Sequence, residues 1–221
     1  MMKKWICGML VLLTVAVSCK EEDIEVYSGE PRIEFASTEA KCVFDDRAYL
    51  EDIAVSPVEL KVRSLGHHME KPLKYFLKEV EESGNVVVNS EYEYVSGNES
   101  ATAQVTVKRP VSVDRAYYVT VMLDFDNVAN GFEAGRTENL ECKIFVSYDI
   151  EPSDWDKTLW GMYSNSKYMF MMDHFKKIYV AIPHTKAARD EVRKAYKEYR
   201  KHNPPLMDDE EPQHEISFPE D

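Results

Sequence analysis

The residues best suited to bind a ligand form an aromatic cluster late in the chain. Trp155, Trp160 and Tyr163 follow one another closely. Exposed aromatic rings can stack on sugar rings, whereas buried rings pack an interface between structural units. The sequence therefore predicts either a binding platform for a glycan or peptide or a packed junction. The solvent exposure of Trp160 distinguishes the two.

A second candidate is a basic stretch in an otherwise acidic chain, which carries 27 Lys and Arg against 40 Asp and Glu for a net charge of −13. Arg189, Arg193, Lys197 and Arg200 recur at helical spacing. They predict a helix face that contacts an acidic partner or anionic lipid headgroups, or else a solvated face with i,i+4 ion pairs. The acidic balance of the whole chain excludes nucleic acid as the expected partner, because its phosphates would be repelled.

Two cysteines, Cys42 and Cys142, remain once the N-terminal segment described below is set aside. In an oxidising compartment they are a possible disulfide that would close a long loop. The alternative is two buried free thiols, and the sequence does not decide between them because the geometry of a disulfide is specific.

Motifs for catalysis are missing from the sequence. It contains no Gly-x-Ser-x-Gly elbow, no His-Glu-x-x-His helix and no phosphate-binding glycine loop. His67 and His68 are adjacent, and adjacent side chains of extended backbone point in opposite directions. Asp124 and Asp126 are oxygen ligands of the kind that binds calcium, but they are more simply acidic loop residues. We therefore expect no enzyme activity, no cofactor and no metal.

The spacing of apolar residues predicts β-strands over residues 31–150. Val58, Leu60 and Val62 alternate with polar residues, which is typical of a half-buried strand. Glycine-containing turns separate several such runs, and no helical pattern lies between them. The prediction is a mainly-β fold built on an antiparallel, immunoglobulin-like β-sandwich.

A small C-terminal helical region is predicted over residues 151–207. Ala188, Val192 and Tyr196 recur at intervals of four, which indicates one apolar helix face. Residues 208–221 are acidic and contain proline, so the sequence predicts a loosely ordered acidic tail there.

The N-terminus reads as an export signal. Two lysines precede an apolar run over residues 5–17, which is too short to span a bilayer but fits a cleavable signal peptide of residues 1–18. Small residues then lead into Cys19, as at a lipoprotein processing site, so we expect Cys19 to be acylated and residues 19–30 to form a lipid tether. The run Lys20-Glu21-Glu22-Asp23 resembles the signal that exports Bacteroidota lipoproteins to the cell surface.

The chain resembles the Bacteroidota lipoproteins of domain-of-unknown-function family 4843. The resemblance is carried by the segments EPSDWD (Glu151–Asp156), WGMYS (Trp160–Ser164) and KYMFM (Lys167–Met171), with ISFP (Ile216–Pro219) near the end and the Cys19–Arg32 opening. It implies an accessory lipoprotein encoded beside a SusC/SusD-type pair, a TonB-dependent outer-membrane transporter with its ligand-capturing lipoprotein. The family has no established catalytic residues, so no site is carried over.

These patterns together predict a non-catalytic lipoprotein of the outer membrane that faces the cell surface. It would act in a SusC/SusD-like nutrient uptake system and bind either a nutrient or a transporter component. The alternative is a structural or assembly protein that contacts only protein partners in the outer membrane.

Overall fold

The computed structural model describes residues 29–66 and 69–220. The predicted signal peptide, Cys19 and His67–His68 lie outside the described residues. In chain order the strands are β1 (Arg32–Phe35), β2 (Glu39–Phe44), β3 (Val55–Leu65), β4 (Leu73–Tyr75), β5 (Leu77–Glu79), β6 (Val86–Val87), β7 (Tyr92–Tyr94), β8 (Ala101–Lys108), β9 (Tyr117–Leu123), β10 (Glu133–Ala134) and β11 (Glu141–Tyr148). The α-helices are α1 (Asp46–Leu50), α2 (Lys157–Trp160), α3 (Asn165–Phe175) and α4 (Lys186–Tyr199).

Two sheets form the β-sandwich. One has five strands in the order β10-β1-β3-β8-β6, the other has four in the order β2-β11-β9-β5, and β4 and β7 pair as a separate two-stranded sheet. The prediction of a mainly-β, immunoglobulin-like sandwich followed by small helices is confirmed.

The two-residue alternation of the strands builds the sandwich core. In β3, Val58, Leu60 and Val62 are buried while the residues between them are exposed. The opposing sheet contributes Val119 and Ile144, both fully buried. Each such aliphatic side chain removed from water stabilises the fold by about 1.5–3 kcal/mol. The alternation therefore determines which face of each long strand points into the core. The other face carries polar residues or a binding surface.

Two strand pairs differ from the predicted antiparallel pattern. β1 pairs with β10 in parallel, and β2 pairs with β11 in parallel. The alternation of apolar and polar residues is the same in parallel and antiparallel strands, so the sequence pattern does not reveal strand direction. Both sheets are consequently mixed, and each parallel pair lies at a sheet edge.

The possible disulfide between Cys42 and Cys142 is not formed, and both cysteines are buried free thiols. The strand register explains why. Cys42 lies opposite Val146, four residues along β11 from Cys142, or about 13 Å at the rise of an extended chain. A disulfide requires Cα atoms within about 7 Å. Burial raises the pKa of the Cys142 thiol to about 11, so the thiol is protonated and unreactive at neutral pH.

A buried carboxylate joins three segments of the five-stranded sheet. Glu34 on β1 is fully buried. Its carboxylate accepts hydrogen bonds from Arg136 Nη2 at 2.6 Å, from the Arg136 backbone N–H at 3.0 Å and from Arg63 Nε at 2.7 Å. The Arg136 hydrogen bonds outweigh the effect of burial and, with Arg63, lower the pKa of Glu34 to about 2. Gly135 makes the approach possible, because a Cβ there would lie 2.8 Å from Glu34 Cβ.

The helical region has its own hydrophobic core beside the sandwich. Helix α3 begins at its N-cap Ser164, whose side chain accepts from Lys167 N, and α4 begins likewise at Thr185. Their buried faces meet around Tyr168 and Val192. The whole buried set of this second core is Ile150, Trp160, Tyr168, Met171, Met172, Tyr179, Ile182, Ala188, Val192, Tyr196, Ile216 and Phe218.

The segment predicted as a loosely ordered acidic tail is part of this second core. Ile216 and Phe218 are buried, at 3% and 5% exposure. The Ile216 N–H donates to Leu206 O at 2.9 Å, and Met207 forms a β-bridge with Glu215. Acidic and proline residues dominate the composition, but two spaced apolar side chains are enough to bind the segment back onto the helices.

Two tyrosine hydroxyls fix the helical region to the sandwich. Tyr168 Oη donates to Asp46 Oδ2 at 2.6 Å, and Tyr49 Oη donates to Asp173 Oδ2 at 3.1 Å. Both hydrogen bonds join α1, which lies within the β region, to α3. The boundary predicted near residue 150 therefore separates two cores that share specific polar contacts.

We expect Glu34→Gln to lower the free energy of unfolding at pH 7 by about 2–3 kcal/mol, because two arginines lose a buried ionised partner. The native carboxyl has a pKa of about 2 against the ordinary 4.5. Its stabilising effect is therefore complete above pH 5 or so and is lost as the pH falls toward about 2. Urea unfolding followed by tryptophan fluorescence at several pH values measures this, and the two proteins should converge at low pH.

Glu133→Gln is the matched control. Glu133 pairs with Arg32 at 3.5 Å, but both side chains are about half exposed, so the loss should be below about 0.5 kcal/mol. Equal losses in the two variants would contradict the role assigned to Glu34.

Candidate functional site

The aromatic cluster that the sequence singles out is a packed junction. Trp160 is 0% exposed, which rules out its use as a stacking platform. The Trp155 ring stacks on Tyr179 with centroids 5.2 Å apart, and its Nε1 donates to Gly161 O at 2.9 Å. Tyr163 is half-buried and lies edge-on to Trp155 at 5.1 Å. Trp160 belongs to the second core, and Trp155 and Tyr163 pack against it as partly buried rings. Of the two alternatives that the sequence left open, the arrangement favours the packed junction.

The basic face of α4 is largely used within the chain. Arg189 is buried at 7% exposure. Arg193 Nη1 donates to Pro219 O at 3.2 Å, and Arg200 Nε donates to Glu215 Oε1 at 2.5 Å. Three of the four predicted partner-contact residues thus hold the helix to its own neighbours or to the C-terminal segment. Lys197 is exposed and is the one of the four that points freely to solvent.

The sequence analysis predicts i,i+4 ion pairs on α4, and Asp190 would then pair with Lys194. The observed ion pairs differ. Asp190 Oδ1 instead accepts from Arg193 at 3.1 Å and from Arg189 at 3.3 Å. Arginine offers several donors in a fixed fork and so reaches the carboxylate in preference to a lysine on the next turn.

A cleft of about 310 Å³ lies between the α2–α3 turn and the C-terminal segment. Lys167, 4% exposed, lies at its wall and donates through Nζ to the carbonyls of Trp160 (3.3 Å) and Met162. Burial lowers the pKa of Lys167 to about 8. The ammonium therefore serves to bind the last carbonyl of α2 and a carbonyl just after the helix.

Asp208, Glu210 and His214 line the same cleft and hold their ligand-type atoms within 4.8 Å of one another. These three could offer a metal their oxygens and a nitrogen. Asp208 Oδ1, however, accepts the backbone N–H of His214 at 2.8 Å and that of Glu210 at 3.3 Å. The carboxylate thus has a structural role in the turn, and Glu210 and His214 are exposed.

Asp124 and Asp126, which the sequence offered as calcium ligands, pair with a lysine instead. Lys78 Nζ lies 2.9 Å from Asp124 Oδ1 and 2.7 Å from Asp126 Oδ2. Asp156, the last residue of the EPSDWD segment, caps α2 by accepting hydrogen bonds from Thr158 N and Leu159 N. These carboxylates are explained by local structure.

An exposed aromatic pair lies on the outer face of the four-stranded sheet, where the sequence reading did not place a site. The Tyr118 side chain is 57% exposed, and its ring centroid lies 4.9 Å from that of half-buried Phe145, with the two planes at 47°. Lys143 Nζ lies 4.2 Å from the Tyr118 centroid. With Lys41 and Glu39 these residues line a shallow groove of about 400 Å³, and we call the five the sheet-face patch.

The strand register positions the sheet-face patch. Phe145 on β11 lies opposite Lys41 on one side and Tyr118 on the other, so the three form a row across β2, β11 and β9. Lys143 lies opposite Glu39 in the neighbouring row. The sequence did contain a signal for this site. Two aromatic residues occupy positions of β9 and β11 that the alternation assigns to solvent.

Comparison with protein-family models gives no match, and comparison with curated proteins gives none either. The chain is similar to a number of solved structures, among them the following three. An apo Calx CBD1 domain shares 12% identity over 55% of this chain and 99% of that domain, with a TM-score of 0.38. A Bacteroides ovatus protein of unknown function shares 9% identity over 52% of this chain and 44% of that protein, with a TM-score of 0.38. A Pyrococcus furiosus CARDB domain shares 14% identity over 55% of this chain and 96% of that domain, with a TM-score of 0.30. Similarities this low carry no inference about function.

Within residues 29–66 and 69–220, no helix has both the length and the apolar character needed to cross a membrane.

We expect Lys167 to leave a signature in the pH dependence of stability. Its native pKa of about 8 lies below the ordinary 10.5, so between these values the unfolded chain binds more protons and stability rises with pH. The rise should be measurable by urea unfolding between about pH 8 and 9.5 and should be absent in Lys167→Met. The matched control Lys177→Met, at an exposed position, should keep it. A rise that persists in Lys167→Met would refute this assignment.

Proposed function

We propose that this protein is a non-catalytic, lipid-anchored accessory of an outer-membrane nutrient uptake system of the SusC/SusD kind. The sheet-face patch would be the surface through which it binds a nutrient or a transporter component. The observation that carries this proposal is the exposed aromatic pair of Tyr118 and Phe145, fixed on a rigid sheet and flanked by polar side chains. Aromatic side chains concentrated on an exposed surface are typical of binding sites.

The state of the ionisable groups supports a binding role over a catalytic one. The strongly shifted carboxyl, Glu34, is occupied by Arg136 and Arg63. The shifted amine, Lys167, is occupied by two carbonyls. Groups poised for acid–base chemistry lie free in a pocket, within reach of a substrate. These two shifted groups have structural partners instead.

The lipid anchor is proposed from the sequence. Cys19 follows a short apolar signal segment and small residues, and the acidic run after it resembles a surface-export signal. The likeness of the junction motif to family 4843 supports the link with a TonB-dependent transporter. A structural protein that contacts only protein partners is the alternative, because the sheet-face patch would also fit a protein surface.

We expect Cys19→Ala to abolish labelling of the protein with a clickable palmitate analogue and to release it from the outer-membrane fraction. The reason is that acylation supplies the hydrophobic attachment. Cys42→Ala is the matched control, because that buried thiol should not affect labelling. Unchanged labelling of Cys19→Ala would exclude a lipid on this residue.

The full-length protein, affinity-tagged in its native host and cross-linked in the membrane, should co-isolate with a β-barrel TonB-dependent transporter and its SusD-like partner. Mass spectrometry identifies the three components. Tyr118→Ala should reduce the transporter yield at least fivefold if the patch contacts the transporter, and leave it unchanged if the patch binds nutrient. Lys197→Glu, on the free side of α4, is the control. Failure of both wild type and variants to co-isolate any transporter would exclude the uptake role.

A further inference from the structure

The sheet-face patch is rigid before any ligand arrives. Its residues lie on three hydrogen-bonded strands, and their neighbours Val119, Ile144 and Val146 are fully buried in the core. The sheet therefore fixes the backbone positions from which the Tyr118 and Phe145 rings project. A binding surface of this kind loses little conformational entropy when it takes up a ligand, so even a small contact area can give useful affinity.

The dimensions of the patch fit a short, flat molecule. The row from Lys41 through Phe145 to Tyr118 crosses three adjacent strands, which spans about 10 Å at the usual strand spacing. This is comparable to the length of a disaccharide. The two rings meet at 47° rather than lying coplanar, so they form an open angle. One pyranose can lie against Tyr118, with Phe145 closing one side of it.

The polar groups around the rings match a ligand rich in hydroxyls. Lys41 and Lys143 can donate hydrogen bonds, and Glu39 can accept them. Among the described residues no ion pair engages Lys41 or Lys143. A sugar hydroxyl both donates and accepts, so it can use both kinds of partner in one site.

The charge distribution favours a neutral ligand. On the outer face, Lys41 and Lys143 are balanced by Glu39 and Glu141, all four of them exposed. The chain as a whole carries a net charge of −13, so a polyanion would be repelled as it approached. A predominantly apolar ligand would leave these charged side chains without water or partners, which costs free energy.

The contact between Lys143 and Tyr118 is compatible with such a ligand. The ammonium lies 4.2 Å from the ring centroid, and a solvent-exposed cation–π contact is weak. It holds the ring in position in the free protein. Lys143 can then move off the ring face and donate to a hydroxyl of the ligand.

We infer that the sheet-face patch binds a neutral oligosaccharide, about two pyranose rings in length, by stacking on Tyr118 and Phe145 and hydrogen bonding to Lys41, Lys143 and Glu39. The inference rests on the proposed function of this patch as a binding surface and names its ligand.

The test uses the full-length lipoprotein purified in detergent and an array of defined tetrasaccharides. The neutral probes are malto-, cello-, manno- and xylotetraose, the acidic probe is tetragalacturonate, and calorimetry measures the affinity of the best one. We expect binding to at least one neutral probe. Tyr118→Ala should weaken it at least tenfold, Lys143→Gln about threefold, and Tyr118→Phe, which keeps the ring, no more than twofold. Val87→Ala, at an exposed site on the five-stranded sheet, is the control.

Thermal melting of every variant shows that each is folded. Stronger binding to tetragalacturonate than to any neutral probe would overturn the neutral class. Binding unaffected by Tyr118→Ala would overturn the location. No binding to any probe, or a dimer in solution that Tyr118→Ala dissociates, would overturn the inference itself. In each case continued co-isolation with a transporter would leave the proposed function standing, so the two can fail separately.

Discussion

The buried carboxylate of Glu34 is the contact on which the five-stranded sheet depends. It belongs to β1, yet its partners Arg63 and Arg136 come from β3 and from the segment just after β10. An ionised carboxylate without such partners would not be tolerated at 0% exposure. The strand order β10-β1-β3 is therefore held by charge-assisted hydrogen bonds as well as by the backbone ladder, and the steric freedom of Gly135 allows the approach.

The second core shows the same use of distant residues. The C-terminal segment returns to α3 and α4, where it buries Ile216 and Phe218. Arg193 and Arg200 then bind its backbone and Glu215. The basic side chains of α4 thus pair with groups of the acidic segment that follows the helix. The arginines of α4 therefore have partners within the chain, and little of their charge is left for an acidic partner. Tyr118, on the outer face of the four-stranded sheet, is exposed, whereas Trp160 in the second core is not.

The sequence was informative where the physical signal is local. Alternation predicted β3 around Val58, Leu60 and Val62, and the four-residue spacing of apolar residues predicted α4. Non-local features were not accessible. The parallel direction of β2 and β11, the 102-residue separation of Glu34 and Arg136 and the burial of Phe218 all depend on tertiary pairing. Composition alone made residues 208–221 look disordered and made the Trp160 cluster look like a site.

The sheet-face patch was not predicted for a different reason. Its aromatic residues do occupy outward strand positions, but they are not adjacent in the sequence. Tyr118 and Phe145 are far apart in the sequence and become neighbours only through the register of β9 and β11. A cluster such as Trp155 to Tyr163 attracts attention because its members are adjacent, whereas adjacency along the chain is equally typical of a packed core. Position on the outward side of an alternating strand is the more reliable indicator of exposure.

The two parallel edge pairs have a consequence for the order in which the chain can fold. β1 meets β10 at Arg32 and Glu133, and β2 meets β11 at Glu39 and Lys143. β1 also pairs with the nearer β3, but its other edge and the edge strand β2 find partners only about a hundred residues later. Contacts this distant in sequence form slowly. If the protein is exported as proposed, such late closure is an advantage for a chain that crosses a membrane unfolded. Each sheet is complete only once residues 133–148 are available to pair.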